Sequence, residues 1–286
     1  MVGLGRMGSA MARRFHGAGH DLVVWNRDRT KAEALADDTG AAIAASPAAA
    51  AKEADVVVTS LADDAALVDV YLGLEGVASG IRPDAIALDT STVDPATIRQ
   101  VGASLDAVGA RFCDCPVSGS VSTVEAGTLT IMAGGEPEVV AAVEAVLSAI
   151  AQKVVRVGDL GSGAACKLAV NGLLHSFNVA LSEALVLAER AGVDREAAYE
   201  VFASGAAGAP YVHYKRQAFE HPDEVDVAFT LDLAAKDLDL VRALGERVGA
   251  TLEQAGTTAA IVEAAIASGM GGRDLSAIAV YLRGES

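Results

Sequence analysis

The 286-residue sequence predicts an α/β Rossmann-type, doubly wound domain followed by an all-α C-terminal domain, with a long interdomain helix between them. Three observations carry that expectation. A glycine pattern, Gly3-x-Gly5-x-x-Gly8, opens the chain; short apolar runs alternate with polar-faced helical stretches up to about position 158; beyond it, apolar residues recur at intervals of three and four.

The opening glycines precede Met7 to Phe15, which has the composition of a helix. In a β-α-β unit such a loop leaves backbone N–H groups at the helix N-terminus, where a dinucleotide pyrophosphate binds. Methyltransferases and chance glycine loops share the pattern, but the run "HDLVVW" (20–25) completes the unit and favours a dinucleotide. Met1-Val2 leaves only the last step of a first strand, so either the natural start lies upstream or the central strand is short.

The second strand ends in "WNRDRTK". An NAD-specific protein usually places Asp or Glu there for the ribose 2'-hydroxyl. Asn26 is neutral and Arg27 cationic, so Arg27, helped by Thr30 and Lys31, suits a 2'-phosphate and favours NADP over NAD.

The runs "ADVVVTSL" (54–61), "AIALDTST" (85–92), "ARFCDCPV" (110–117), "LTIMAGG" (129–135) and "KVVRVG" (153–158) are short, β-branched or apolar, and bounded by turn formers. Ala-rich segments such as 28–37 and 136–150 separate them as helices, which predicts a mostly parallel sheet covered on both faces. Within 114–135 the chain turns at Ser118-Gly119, a plain turn or a place where a hydroxyl and backbone N–H groups hold a carboxylate.

The glycine-rich turn at 158–163 marks the domain boundary, giving a domain over 1–160 and another over 161–286. One long helix is predicted from Ala164 to about Ala191, apolar at Leu181, Leu185 and Ala188 and ended by Gly192. Lys167 and Asn171 lie four apart on it, hence on one side, and a partly buried lysine beside a carboxamide suits general acid/base work. Further helices are predicted over 194–205, 229–247, 251–269 and 274–283.

A net charge of -16 and a pI near 4.6 argue against nucleic acid or an anionic membrane surface as partner. No uninterrupted apolar run reaches the ~18 residues of a span, and the first fifteen residues do not read as a secretory leader, so a cytoplasmic protein is expected. Cys113, Cys115 and Cys166 read as small buried residues. His16, His20, His175, His213 and His221 form no ligand pair and read as surface or cleft filler, so no metal site is expected.

The blocks "GLGRMGSAMA", "DTSTVDP", "DCPVSG" with "AGTLT", "GSGAACKLAVN", "FTLDLAAKDLDL" and "DLSAIA" occur in an order that resembles the β-hydroxyacid dehydrogenase family over essentially the whole chain. That family includes 3-hydroxyisobutyrate dehydrogenase, tartronate semialdehyde reductase and the glyoxylate/succinic semialdehyde reductases. The resemblance implies hydride transfer between NADP(H) and a small β-hydroxyacid or carboxylated semialdehyde. It implies Lys167 as general acid/base with Asn171 beside it, Ser118 and Gly119 on the substrate carboxylate, Thr92 near the nicotinamide or substrate, and Phe229, Lys236 and Asp237 closing the site.

The cofactor would lie on Gly3, Gly5, Arg6, Met7 and Gly8, then on Asn26, Arg27 and Thr30, with Leu61, Thr92 and Lys236 completing its contacts. A homodimer or homotetramer built on the helical domain is implied as well. The chain departs from the family's pattern at Ser120 and Val124, where Gly and Ala are frequent, and at Val170-Asn171, where Asn-Asn is frequent. Two other readings stay open: an NADPH-dependent imine reductase of the same fold, whose members generally lack the lysine, and a catalytically silent NADP-binding protein.

Overall fold

Val2, directly before the first glycine, occupies the place of a central strand. It bridges Trp25 on one side and Thr59 on the other, both in parallel. The computed structural model describes residues 1–284, in two units, Met1–Lys167 and a second beginning at Leu168.

The first unit opens with α1 (Arg6–Gly17), β1 (Val23–Val24), α2 (Arg29–Thr39) and β2 (Ala42–Ile43). It continues through α3 (Pro47–Ala51), β3 (Val56–Thr59), α4 (Asp64–Leu72), α5 (Val77–Gly80), β4 (Ile86–Asp89) and α6 (Pro95–Asp106). The remainder is β5 (Arg111–Asp114), β6 (Val117–Ser118), α7 (Val121–Glu125), β7 (Leu129–Gly134), α8 (Pro137–Leu147) and β8 (Ala151–Gly158). Asp28, Ser46, Asp63 and Asp94 begin α2, α3, α4 and α6, each accepting a backbone N–H that the helix leaves unpaired.

β1 pairs with β2, β3 with β4 and β4 with β5, all in parallel. β7 then runs antiparallel to β5 and β6, and β8 returns parallel to β7. The reversal follows from chain length, because residues 119–128 are fewer than the dozen or so that a parallel crossover needs. One apolar cluster includes Met11 and Phe15 of α1 with Val143 and Leu147 of α8; a separate one includes Leu67 and Tyr71 of α4 with Ile98 and Leu105 of α6. β2 has no counterpart in the sequence reading, since two residues in an Ala-rich stretch carry no β signature.

α9 (Ser162–Arg190) starts in the first unit and continues into the second, and Gly192 beyond it takes φ +87°, as its position predicts. The second unit adds α10 (Arg195–Ser204), α11 (Pro210–Glu220), α12 (Leu231–Val248), α13 (Glu253–Ala265) and α14 (Ala277–Arg283). α11 is not foreseen by the sequence reading. The helix expected over 251–269 ends as α13 and passes into a π-type turn, Ile266–Met270, where Gly269 takes φ +93°.

Among the described residues, α9 is the one helix long and apolar enough to cross a membrane by length and composition, with a mean hydropathy of 1.2 in its best window. A count of uninterrupted apolar residues does not single it out, because Lys167, Asn171, His175, Asn178 and Ser182 interrupt it. Half of that window is buried, and Leu181 and Leu185 pack with Tyr199 and Phe219 in a protein core.

The start of α9 is held by a side chain from the sheet. Asp114, the last residue of β5, accepts from Gly161 N at 2.8 Å and Ala164 N at 2.6 Å. Burial pushes its pKa up, against the lowering effect of these bonds. Asp114→Ala leaves buried donors unmatched and is expected to reduce unfolding stability by about 1–3 kcal/mol in urea titrations. Wild-type stability in that variant would remove Asp114 as the helix anchor.

Candidate active site

The three opening glycines have different tasks. Gly3 takes φ +91°, and a Cβ there would overlap the Ser60 carbonyl oxygen; one on Gly8 would overlap the Gly3 carbonyl oxygen. Gly5 has φ -68°, open to any residue, and no atom lies within 4 Å of where its Cβ would stand. No side chain caps α1, so its first N–H groups stay available to an anion. Packing requires the outer glycines, and the middle one leaves the space that a pyrophosphate needs. The loop therefore fits a dinucleotide.

Arg6 is exposed and Met7 is half-buried, packed on the core behind the loop. Asn26, expected on the cofactor, has both ends of its carboxamide engaged: Oδ1 accepts from Leu4 N at 2.9 Å and Nδ2 donates to Asp28 O at 2.9 Å. It ties the glycine loop to the chain after β1. The Thr30 hydroxyl donates to the Asp28 carboxylate at 2.7 Å, and the hydrogen bonds from Thr30 hold that carboxyl below its ordinary pKa. Arg27 is exposed and has no ion pair among the described residues.

The ends of β3 and β4 are wired together by Asp89, a residue the sequence reading did not single out. Its carboxylate accepts from Thr59 Oγ1 at 2.6 Å, Ser91 Oγ at 2.7 Å and Ser91 N at 3.0 Å. Ser91 Oγ in turn accepts from Leu61 N at 2.8 Å. Burial pushes the Asp89 pKa up to about 6, although the Thr59 and Ser91 hydrogen bonds oppose the rise. Leu61 lies against Gly3, and Thr92, half-buried, follows this network in the chain.

Ser118 pairs with Thr130 at the end of β6, and Gly119 takes φ +143° where a Cβ would overlap Thr123 Oγ1. The two departures in this loop have local uses. Ser120 caps α7, its N–H donating to Thr123 Oγ1 at 2.6 Å, and Val124 is fully buried in the core. Lys167 is half-buried on the second turn of α9.

Asn171, Phe229, Lys236 and Asp237 form one cluster within the second unit. Asn171 is 3% exposed, and its Nδ2 donates to Asp237 Oδ2 at 2.6 Å. Lys236 Nζ lies 3.1 Å from the other carboxylate oxygen. Asp237, expected to help close the site, is 1% exposed and lies between these neighbours. His175, read from sequence as filler, is buried beside it, with Nε2 at 3.5 Å from Oδ2 and its ring stacked on Phe229 at 5.7 Å. Burial works to raise the Asp237 pKa, but His175 and Lys236 outweigh it and hold the carboxyl below its ordinary value. The available sequence signal was spacing, since His175 follows Asn171 by four and Lys167 by eight.

Residues 1–158 match the family model described as the NAD binding domain of 6-phosphogluconate dehydrogenase, and residues 161–282 match that described as NAD-binding of NADP-dependent 3-hydroxyisobutyrate dehydrogenase. The chain belongs to the 3-hydroxyisobutyrate dehydrogenase family. Members are NAD(P)-dependent oxidoreductases, and an oxidoreductase acting on small hydroxyacids or semialdehydes is the activity this membership supports. A probable mitochondrial 3-hydroxyisobutyrate dehydrogenase of Dictyostelium discoideum is 37% identical over 72% of this chain, a match spanning 64% of that relative's length. The chloroplastic glyoxylate/succinic semialdehyde reductase 2 of Arabidopsis thaliana is 30% identical over 99% of this chain and 78% of its own. The solved structure of Mycobacterium tuberculosis 3-hydroxyisobutyrate dehydrogenase with L-serine is 30% identical, with a TM-score of 0.87 over 99% of this chain and 97% of that one.

Two outcomes follow for this family member. Gly5→Ala is expected to keep the melting temperature while weakening binding of the reduced dinucleotide, NADH or NADPH, about tenfold or more, read by fluorescence titration; unchanged affinity would place the dinucleotide elsewhere. Asp89→Asn tests the buried carboxylate through pH. Its folded pKa of about 6 exceeds the unfolded value of about 4, so ionisation erodes stability as pH rises through that window. The variant's stability relative to wild type should therefore rise between about pH 4 and 6 and level off above; a difference independent of pH would contradict the assignment.

Proposed function

We propose that the protein transfers hydride between NADP(H) and a small carboxylated aldehyde or β-hydroxyacid, with Lys167 as general acid and base. The observation that carries the reading is the pair Lys167 and Asn171, four apart on α9, with the Asn171 carboxamide held by the buried Asp237. A lysine has three donors and no acceptor, so a fixed carboxamide oxygen on the same helix side gives it a partner that orients it without removing its proton.

When bound, the nicotinamide supplies the hydride in reduction and receives it in oxidation. In reduction the Lys167 ammonium donates a proton to the oxygen of the reacting carbonyl as charge develops there. In oxidation the neutral amine takes the hydroxyl proton. Ser118 and the Gly119 backbone hold the substrate carboxylate, which sets the reacting carbon relative to Lys167. Arg27, exposed and without an ion pair among the described residues, favours the 2'-phosphate and hence NADP over NAD. The names of the relatives, a hydroxyisobutyrate dehydrogenase and a semialdehyde reductase, support the same substrate class.

Initial rates of NADPH and NADH oxidation with glyoxylate, succinic semialdehyde, tartronate semialdehyde, methylmalonate semialdehyde and one cyclic imine test the proposal. Turnover of a carboxylated aldehyde with NADPH preferred is expected, and Lys167→Met should lower kcat by about 10²–10⁴ with NADPH binding intact. Activity confined to the imine would overturn the reading in favour of imine reduction, and NADPH binding without turnover would favour a silent binding protein.

A further inference from the structure

Either end of an asparagine carboxamide can point either way, and its neighbours decide which. Asn171 Nδ2 donates to Asp237 Oδ2 at 2.6 Å, which turns its Oδ1, an acceptor, away from the carboxylate. An ionised Asp237, which can only accept, fixes that arrangement. A protonated carboxyl could donate to Oδ1 and reverse the amide, presenting NH2 where an acceptor is needed.

Among the described residues, the titratable groups facing Asp237 are His175 from α9 and Lys236 from its own helix, α12; Asn171 is uncharged. Lys236 addresses Oδ1, and His175 addresses Oδ2, the oxygen that Asn171 uses. His175 is 2% exposed, and neither of its ring nitrogens has a hydrogen-bond partner among the described residues. A buried imidazole without partners is costly unless its electrostatic neighbour repays it. Phe229, whose ring lies 5.7 Å away at an interplanar angle of 29°, keeps the imidazole against Asp237. Phe229 is itself fixed from behind: its N–H and that of Ala228 donate to Asp274 Oδ2, and Asp274 is paired with the buried Lys215 at 2.6 Å.

We propose that His175 is a positioning residue, which keeps the Asp237 carboxylate facing Asn171 so that the carboxamide presents its oxygen, not its NH2, to the lysine and substrate. The inference rests on the reading of Lys167 and Asn171 as the place of proton transfer. His175 touches neither substrate nor cofactor in this role and acts through Asp237.

His175→Phe keeps the ring stacked on Phe229 and removes both nitrogens, whereas His175→Gln restores a donor near the position of Nε2. H175F is expected to lower kcat on the order of tenfold with the NADPH dissociation constant unchanged. Its kcat/KM profile should lose activity at higher pH on the acid side, because Asp237 protonates earlier, and H175Q should recover most of both. The Asp237 carboxyl, followed by 13C NMR, should titrate at higher pH in H175F than in wild type or H175Q.

A wild-type pH profile and carboxyl titration in H175F, or H175Q no better than H175F, would overturn the proposal. If H175F does not fold, His175→Asn, whose amide is too short to reach Asp237, takes its place against H175Q. If wild type turns over none of the test substrates, the oxidoreductase reading fails, and the carboxyl titration still decides for or against His175.

Discussion

Two backbone N–H groups at the start of α9 meet one buried carboxylate, that of Asp114, and the placement of Lys167 follows from that contact. A helix start presents donors and a partial positive charge that call for an anion. Here the anion comes from the end of a strand, so the first turn of α9 is fixed to the sheet rather than to the loop before it. The surroundings are shaped to admit the carboxylate: Gly134 and Gly163 both have the Asp114 side chain where a Cβ would stand. From that fixed start, helical spacing alone sets where Lys167, Asn171 and His175 project.

A division of labour runs through the first unit. Asn26, Thr30 and Ser120 have the residue types of ligand contacts, but their polar atoms serve the chain, holding the glycine loop, the start of α2 and the start of α7. Gly5 and Arg27 have no such duty. A side chain already bonded to the chain is less free to turn toward a ligand than one that is not, and that sets scaffold apart from open surface among residues of one motif. Val124 shows the same separation for shape, because its extra bulk is taken up by the core beneath the loop.

Local pattern made much of this legible from sequence. The strands β1, β3, β4, β5, β7 and β8, the long α9, its end at Gly192 and the glycine loop all leave periodic or turn signals. β2 and the reversal at β7 left none, since one is two paired residues and the other depends on how far a short connection can reach. α11 begins at Pro210 after a glycine- and alanine-rich stretch that reads as loop until its packing is seen. In the site, Lys167 and Asn171 stood out by spacing, whereas Asp89 and His175 gained meaning only from partners far away in the chain: Thr59 for the one, and Phe229 and Asp237 for the other. Long-range pairing of polar groups is what residue type and periodicity do not encode.

The anchoring of α9 also limits how this part of the chain can vary in length. Each residue added to a helix turns everything beyond it by roughly 100° about the axis. One insertion between Ala164 and Lys167 would leave Asp114 still holding the helix start while carrying the lysine to a different side, and deletion would do the same in the opposite sense. Between the anchor and His175 the count of residues is therefore as constrained as Gly163, Lys167 and Asn171 themselves, and relatives that share this geometry should align there without a gap.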